Sequence, residues 1–173
     1  MPTTITHALV GLGLAEVFAP RPMPASFYGL AAVLSNVPDA DVLAFRFGIP
    51  YGAFLGHRGF GHSLCCAVLA GLVAAALTAP WFAAGWWFLF AFFSGLIALH
   101  DLLDGFTNGG LGIAYLSPFD TTRYFFPWRP IQVSPIGRGF FSRWGLRALL
   151  SEVVWVWVPL AVLVGAVLFF RRG

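Results

Sequence analysis

Charged side chains are scarce in this chain, and lysine is absent altogether. Only 10% of the 173 residues are charged, whereas an ordinary soluble domain has about 25%. Hydrophobic residues make up 59% of the chain, and the mean hydropathy is +0.82. So few charges cannot cover the surface of a water-soluble domain. The composition therefore predicts an integral membrane protein.

Other classes of protein are also disfavoured by what the chain lacks. All ten basic residues are arginine and the net charge is only +3, an excess too small to predict nucleic-acid binding. Cys65 and Cys66 are the only cysteines and are adjacent in an apolar run. Neighbouring cysteines rarely pair, so we expect them to pack between helices. The first residues, MPTTITH, lack the positive segment of a cleavable signal, and none is expected.

The longest apolar stretch predicts two membrane helices. Residues 63–99 contain no charged side chain and exceed the roughly 20 residues that one membrane helix needs. Pro80 marks the break, because proline interrupts a helix. We therefore expect helices near residues 62–79 and 82–104.

Residues 153–170 predict a last span, in which Pro159 favours a kink. Residues 5–18 and 26–37 are apolar but short, and they fit full spans, re-entrant segments or a helical hairpin. The expected fold is all-α: a polytopic helical membrane protein with about four to five membrane-embedded helices. The length predicts a single domain over residues 1–173.

A connection of about fifty residues precedes the last span and is rich in glycine, proline and aromatic residues. A loop of this length is often functional. In its later part, GRGFFSRWGLRALLSE, Arg143 and Arg147 are one helical turn apart beside an aromatic face. This pattern predicts an interfacial amphipathic helix, although a simple approach to the last span fits equally well.

The few ionisable side chains are concentrated in four short stretches. These contain all four histidines and four of the five aspartates: ITHAL, NVPDADV, HRGFGHS and HDLLDGFTN. Imidazoles and carboxylates are ligands for Zn²⁺, Mn²⁺ and Fe²⁺. If the apolar segments alternate across the bilayer, all four stretches fall at one face. We therefore predict a metal site in a membrane-embedded scaffold.

Two of these stretches contain closely spaced carboxylates. His100 and Asp104 are four residues apart and share a helix face, so both can reach one ion, or Asp104 can orient the imidazole. Asp39 and Asp41 come after a proline, which disfavours helix in the residue before it. In an extended turn both carboxylates would face one cation, although helix capping favours the same residue types.

A glycine-rich turn joins His57 to His62 and allows both rings to converge. Arg58 offers a planar guanidinium for a phosphate or a carboxylate. Ser63 is placed to cap the next helix or to bind a phosphate oxygen. His7 is a candidate only because it falls on the same face as the others.

Eight residues are therefore candidates for the site: His7, Asp39, Asp41, His57, His62, His100, Asp101 and Asp104. One tetrahedral zinc uses three or four ligands, so this number favours two divalent ions, zinc or manganese, with a general base left over. We expect Asp101 or Asp41 to accept the proton of the attacking water. We expect Arg58 to stabilise the charge that develops on the substrate.

The order of these motifs resembles the YdjM family. Residues 7–119 contain, in this order, an early histidine, NxPDxD, HRGxxHS, HxxxD followed by glycine and threonine, and a downstream SPF. In the third of these motifs, Gly61 stands where the family commonly has threonine. The resemblance implies a LexA-regulated, metal-dependent hydrolase of the inner membrane. It also implies a set of metal ligands: His7, Asp39, Asp41, His57, His62, His100 and Asp104.

The predicted function is hydrolysis of a phosphoester in a lipid or lipid-linked substrate at the membrane–water interface. The expected partners are membrane lipids, with no role for nucleic acid. A divalent-metal or proton transporter is one alternative, but residues 63–99 contain few polar groups to form a path. A non-catalytic membrane protein with a structural metal site is another.

The arginine distribution predicts the orientation of the site. Seven arginines fall on the face of the candidate ligands and three on the opposite face. By the positive-inside rule the site is then cytoplasmic. The seven are Arg46, Arg58, Arg123, Arg129, Arg138, Arg143 and Arg147, and the three are Arg21, Arg171 and Arg172.

Overall fold

The computed structural model describes residues 1–20, 22–135 and 137–172. In these residues the structure contains α-helices and no β-strand beyond isolated bridges, so the predicted all-α class is confirmed. Arg21, used in the arginine count, lies outside the described residues. The helices are α1 (Thr4–Phe18), α2 (Ala25–Leu34), α3 (Leu64–Thr78), α4 (Trp86–Gly105), α5 (Arg143–Glu152) and α6 (Val158–Arg172).

Among the described residues, two helical stretches are long and apolar enough to cross a membrane. One is α4, with 20 residues, and the other is the 29-residue stretch Arg143–Arg171 that joins α5 to α6. The apolar helices α1, α2 and α3 have 15, 10 and 15 residues. They are thus only about 15–23 Å long, against a hydrocarbon thickness of about 30 Å. The expected four to five membrane-embedded helices are therefore not confirmed beyond these two.

The predicted amphipathic helix forms, but as part of the last long helix. Its first residues form a short 3₁₀ helix, Gly137–Phe141, and residues 143–152 form α5. Helix α5 continues through the π-helical turn Val153–Trp157 into α6. In that turn the Val158 N–H bonds to the Val153 carbonyl. The irregularity lies directly before Pro159, whose nitrogen has no hydrogen to donate to the preceding turn.

Glycines allow the helices to approach closely, as expected for membrane-embedded packing. A Cβ on Gly11 would lie 2.5 Å from the Ala31 carbonyl oxygen of α2, and a Cβ on Gly71 would lie 2.6 Å from the Ser94 nitrogen of α4. The main apolar core fills the space between α1, α2, α3 and α4. It includes the fully buried residues Ala15, Phe27, Ala31, Ala75, Leu89 and Phe93.

The segment that contains Asp39 and Asp41 differs from the prediction. Val37 has helical angles (φ −58°, ψ −41°), and a 3₁₀ helix, Pro38–Phe47, replaces the expected extended turn. Proline is tolerated at the first position of a helix, where its missing N–H has no partner to lose. Residues two apart share a face in an extended strand but not in a helix with three residues per turn. The two carboxylates therefore meet opposite sides of the His62 ring, Asp39 at Nε2 and Asp41 at Nδ1.

The long connection between α4 and α5 folds back over the end of α4. Isolated bridges pair Thr107 with Ile131 and Ile113 with Tyr124. Ile131 also packs with Val10 of α1 in a second small core. This connection therefore covers the end of the bundle at which α4 finishes and α1 begins.

Candidate metal centre

Buried polar side chains are concentrated at one end of the helix bundle. They come from the start of α1, the segment after α2, the turn before α3, the end of α4 and the end of α5. These residues are Thr3, Thr6, His7, Ser35, Asp39, His57, Arg58, His62, Ser63, His100, Asp101, Asp104, Thr107 and Glu152. Thr78, at the far end of α3, donates to the Ala74 carbonyl of its own helix. The candidate residues from four separate stretches thus converge at one end, as the alternation of apolar segments predicted.

Four of these side chains surround a common point. His62 Nε2 lies 3.3 Å from His100 Nε2, and each of these nitrogens lies 3.6 Å from Asp39 Oδ1. Asp104 Oδ2 lies 3.7 Å from His62 Nε2. All four residues are buried, and one ligand atom from each falls within 4.8 Å of the others. We call Asp39, His62, His100 and Asp104 the four-residue cage.

The spacing and chemistry of the cage fit a divalent metal ion. A tetrahedral ion with bonds of about 2.0–2.1 Å holds its ligand atoms about 3.3–3.4 Å apart, close to the distances in the cage. Both oxygens of Asp39 and Oδ1 of Asp104 are buried, and no described residue forms a hydrogen bond to them. Buried carboxylate oxygens are costly unless they are paired or coordinate a metal. Two imidazoles and two carboxylates form a donor set that suits zinc or manganese.

The second nitrogen of each cage histidine faces a group that orients the ring. His100 Nδ1 lies 2.8 Å from the Ser35 carbonyl oxygen, an acceptor, so Nδ1 carries the proton and Nε2 presents its lone pair to the cage. His62 Nδ1 lies 2.8 Å from Asp41 Oδ2. Such outer partners fix the tautomer and the direction of a metal-binding imidazole.

Asp41 interacts with three neighbours of the cage. His57 Nδ1 donates to Asp41 Oδ1 at 2.6 Å, and the Arg58 N–H donates to Oδ2 at 2.9 Å. Burial raises the pKa of the Asp41 carboxyl, but the imidazoles of His57 and His62 outweigh burial and lower it. Asp41 is therefore an ionised acceptor at neutral pH.

The carboxylates make His62 strongly basic. Burial disfavours the charged form of the ring, but Asp39 and Asp41 outweigh burial and raise the pKa of His62 to about 10. A basic imidazole is a good ligand, and it must release its proton to bind a cation.

Arg58 is fully buried beneath the cage. Its Nε donates to Asp104 Oδ2 at 3.0 Å, and its terminal nitrogens donate to the Gly109 carbonyl at 2.8 Å and to Thr107 Oγ1 at 2.9 Å. Its backbone is left-handed, with φ 63°. These contacts favour a role in holding Asp104 over the predicted contact with substrate, because the guanidinium is directed into the protein.

His7 lies beside the cage. Its ring stacks on His100 with ring centroids 3.7 Å apart, and its Nε2 lies 3.4 Å from Asp104 Oδ1. Ser35 connects the two histidines, because its hydroxyl donates to the His7 carbonyl while its own carbonyl faces His100. His7 is therefore close enough to assist the cage through Asp104.

Asp101 is also buried, but it is separate from the cage. Its side chain is 0% exposed, and neither carboxylate oxygen has a hydrogen-bond partner among the described residues. It interacts electrostatically with His62 and His100. Of the two predicted proton acceptors, Asp101 has free oxygens, whereas those of Asp41 are engaged.

The sequence reasoning missed a buried network that anchors the start of α1. Glu152 accepts hydrogen bonds from the Thr3 N–H at 2.8 Å, from Thr3 Oγ1 at 2.6 Å and from Thr6 Oγ1. Trp157 Nε1 donates to Thr6 Oγ1 at 2.7 Å. The network holds the first turn of α1, and with it His7, against the helix that ends the chain. The sequence signal for this network was Glu152, a charged residue directly before the apolar residues 153–170.

A cavity of about 360 Å³ adjoins the cage. Asp39 belongs to both the cage and the cavity wall, and the rest of the wall is mostly apolar, formed by the first turn of α1 and residues near α5. The wall includes Thr3, Thr4, Ile5, Val42, Ser134, Pro135, Gly137 and Phe140. The side of the cage formed by Asp39 is thus next to space that a small group can enter.

The apolar helices, the two candidate spans and the buried histidine–aspartate cage define an integral membrane protein with a candidate metal centre at one end of a helical bundle. A model of the YdjM inner membrane protein family matches residues 1–173, and the chain belongs to this family. It is 40% identical to inner membrane protein YbcI of Escherichia coli (strain K12), over 99% of this chain and the whole of that protein. No solved structure matched the chain. Location in the inner membrane, expected from the resemblance, is supported by both matches.

Proposed function

We propose that the protein is a metal-dependent hydrolase that cleaves a phosphoester in a lipid or lipid-linked substrate at the membrane–water interface. The observation that carries the proposal is the position of Asp39, which belongs both to the four-residue cage and to the wall of the cavity. A catalytic metal keeps a position open to substrate, whereas a structural one is closed. The mostly apolar cavity wall favours an amphiphilic substrate.

The distances favour one ion in place of the two expected from the number of candidates. Asp41, His57 and His62 form a second group of potential ligands, but His57 Nδ1 and Asp41 Oδ1 are only 2.6 Å apart. Two ligands of one tetrahedral ion lie about 3.3–3.4 Å apart. We therefore assign Asp41 and His57 to orienting His62.

In the proposed reaction, water attacks the phosphorus, the bond from phosphorus to the leaving oxygen breaks, and the proton of the water passes to Asp101. A divalent ion held by the four-residue cage would supply Lewis-acid activation to this reaction. Asp101 suits the role of proton acceptor because both of its oxygens are free of hydrogen bonds from the residues that the structure describes. It then returns the proton to the leaving alkoxide. Arg58 holds Asp104 in place throughout.

The transport alternative is disfavoured by where the buried polar groups lie. A pathway for metal ions or protons needs polar side chains through the depth of the bundle. At the far end of α3, by contrast, the buried Thr78 bonds within its own helix. The core between α1, α2, α3 and α4 is apolar and aromatic.

Metal content and turnover of purified variants test the proposal. We expect His62→Ala and Asp104→Asn to lose the bound ion and the hydrolysis of phospholipids presented in detergent micelles, while circular dichroism shows unchanged helix content. We expect Asp101→Asn to retain the ion but to lose about 10²–10⁴-fold in turnover, the usual contribution of a general base.

His57→Ala is the matched control for His62→Ala, because both remove an imidazole that contacts Asp41. We expect the wild type and the His57→Ala variant each to bind one ion per chain by elemental analysis. Two ions in the wild type and one in His57→Ala would show that the second group is a metal site. A His62→Ala variant that keeps its ion and its turnover would refute the cage.

A further inference from the structure

Beside the cavity, the chain presents a surface that combines arginines with large apolar side chains. Arg138, Arg143 and Arg147 are exposed. The apolar members are 51–89% exposed: Phe141, Trp144, Leu146 and Leu150. We call these seven residues the arginine–aromatic surface.

The positive charge of this surface is not balanced by neighbouring carboxylates. The sequence contains no acidic residue between Asp120 and Glu152. Glu152 is buried and accepts hydrogen bonds from Thr3 and Thr6. Within the described part of the chain, the ion pairs found involve none of the three arginines of the surface. An anionic partner would therefore meet three unpaired guanidinium groups.

The length of the last helix indicates where this surface lies relative to a bilayer. The stretch Arg143–Arg171 has 29 residues, which at about 1.5 Å per residue gives roughly 43 Å. The hydrocarbon core is only about 30 Å thick, whereas the bilayer with its head-group layers measures about 40–45 Å. The part of the helix that extends beyond the hydrocarbon core has about the length of α5. We therefore place α5 in a head-group layer. Arginine and tryptophan are both favoured at that depth.

The surface also adjoins the cavity of the candidate metal centre. Gly137 and Phe140 line the same cavity as Asp39, so Arg138 lies between two wall residues in the chain. A phosphate held at Arg138 would therefore lie next to the wall of the cavity that Asp39 of the cage also lines.

We propose that the arginine–aromatic surface binds anionic phospholipids of the surrounding leaflet and selects them over zwitterionic ones for entry into the cavity. The arginines attract the phosphate, and Phe141, Trp144 and Leu150 pack against the glycerol and acyl region. The assignment of these lipids as substrates rests on the proposed hydrolase function; their binding does not.

Native mass spectrometry of the full-length protein tests the selection. The protein is released from detergent micelles that contain either phosphatidylglycerol or phosphatidylcholine, and the retained lipids are counted. Each arginine near an anionic surface strengthens attraction about fivefold. We therefore expect the wild type to prefer phosphatidylglycerol at least tenfold. The triple variant Arg138→Gln, Arg143→Gln, Arg147→Gln should lose this preference.

The corresponding triple lysine variant is the matched control, because it keeps three positive charges at the same positions. We expect it to retain most of the preference. Equal preference in the wild type and the glutamine variant would overturn the proposal, as would loss of preference in both triple variants. Glycerophosphoglycerol, the head group without acyl chains, should not displace the lipid at equal concentration. Displacement would show a site for a soluble phosphoester and would also overturn it.

This experiment separates the two proposals. If elemental analysis finds no metal in the wild type but the phosphatidylglycerol preference depends on the arginines, the hydrolase proposal fails and lipid selection stands. If the metal is present and the lipid preference does not depend on the arginines, the proposal of lipid selection fails and the hydrolase proposal is unaffected.

Discussion

At the scale of single residues, burial determines which of the predicted groups can face a substrate. Arg58 and Asp41 both belong to motifs that suit catalysis, yet their polar atoms are occupied by neighbours within the protein. Asp39 and Asp101 have oxygens that accept no hydrogen bond from the described part of the chain. Residue type and spacing identified all four, but only the contacts assign separate roles to them.

Arg58 is expected to stabilise the buried carboxylate of Asp104, to which its Nε donates a hydrogen bond. In Arg58→Gln the buried Asp104 carboxylate loses its guanidinium partner, and breaking a buried ion pair costs about 3–5 kcal/mol. For a chain of this size we expect the thermal midpoint to fall by roughly 6–20 °C. The measurement is thermal unfolding of the protein in detergent with a chelator present, followed by circular dichroism at a helical wavelength.

Arg46→Gln is the control for Arg58→Gln, since Arg46 is exposed on the 3₁₀ helix. A surface substitution of this kind changes stability by no more than about 0.5 kcal/mol. If both variants unfolded at the same temperature, Arg58 would not support Asp104, and its guanidinium would be available for the predicted contact with substrate.

At the scale of helices, the close approach of α3 and α4 depends on Gly71. An added Cβ there would lie 2.6 Å from the Ser94 nitrogen of α4, and a backbone atom cannot move aside as a flexible side chain can. We expect Gly71→Ala to cost about 1–3 kcal/mol, as for other overpacked contacts, and to lower the thermal midpoint in detergent.

Gly95→Ala provides the comparison within the same pair of helices. A Cβ at Gly95 would meet no atom of the described residues within 4 Å. Alanine is also favoured over glycine in a helix interior by about 0.5–1 kcal/mol. We therefore expect Gly95→Ala to unfold at the wild-type temperature or above it. Equal destabilisation by both substitutions would show that helix packing at Gly71 is not the cause.

The sequence could predict the apolar helices, the positions of their ends and the convergence of the histidines and aspartates. Each of these follows from local pattern and from alternation across a bilayer. The hydrogen-bonding partners could not be predicted, because they depend on distant contacts: Glu152 and Thr3 are 149 positions apart, and Arg58 and Asp104 are 46 apart. The 3₁₀ helix that separates Asp39 from Asp41 was missed because a proline permits either an extended turn or a helix start.

At the scale of the whole molecule, the exposed arginines predict which end of the bundle faces the cytoplasm. Arg58 is buried and paired, so it does not report topology. Arg123 holds the loop around His57 through the carbonyls of His57, Tyr51 and Ala53. Five exposed arginines remain near the candidate metal centre: Arg46, Arg129, Arg138, Arg143 and Arg147.

We therefore expect the candidate metal centre to face the cytoplasm, because the positive-inside rule applies to short loops next to membrane helices. The Arg171 side chain donates to carbonyls at the end of α1, so the end of α6 lies at the opposite end of the bundle. A green fluorescent protein fused after residue 172 should be dark, and alkaline phosphatase fused there should be active. Fusions after residue 110, near the centre, should behave in the reverse way. The reverse pattern at both positions would place the centre in the periplasm, and its lipids would then come from the outer leaflet of that membrane.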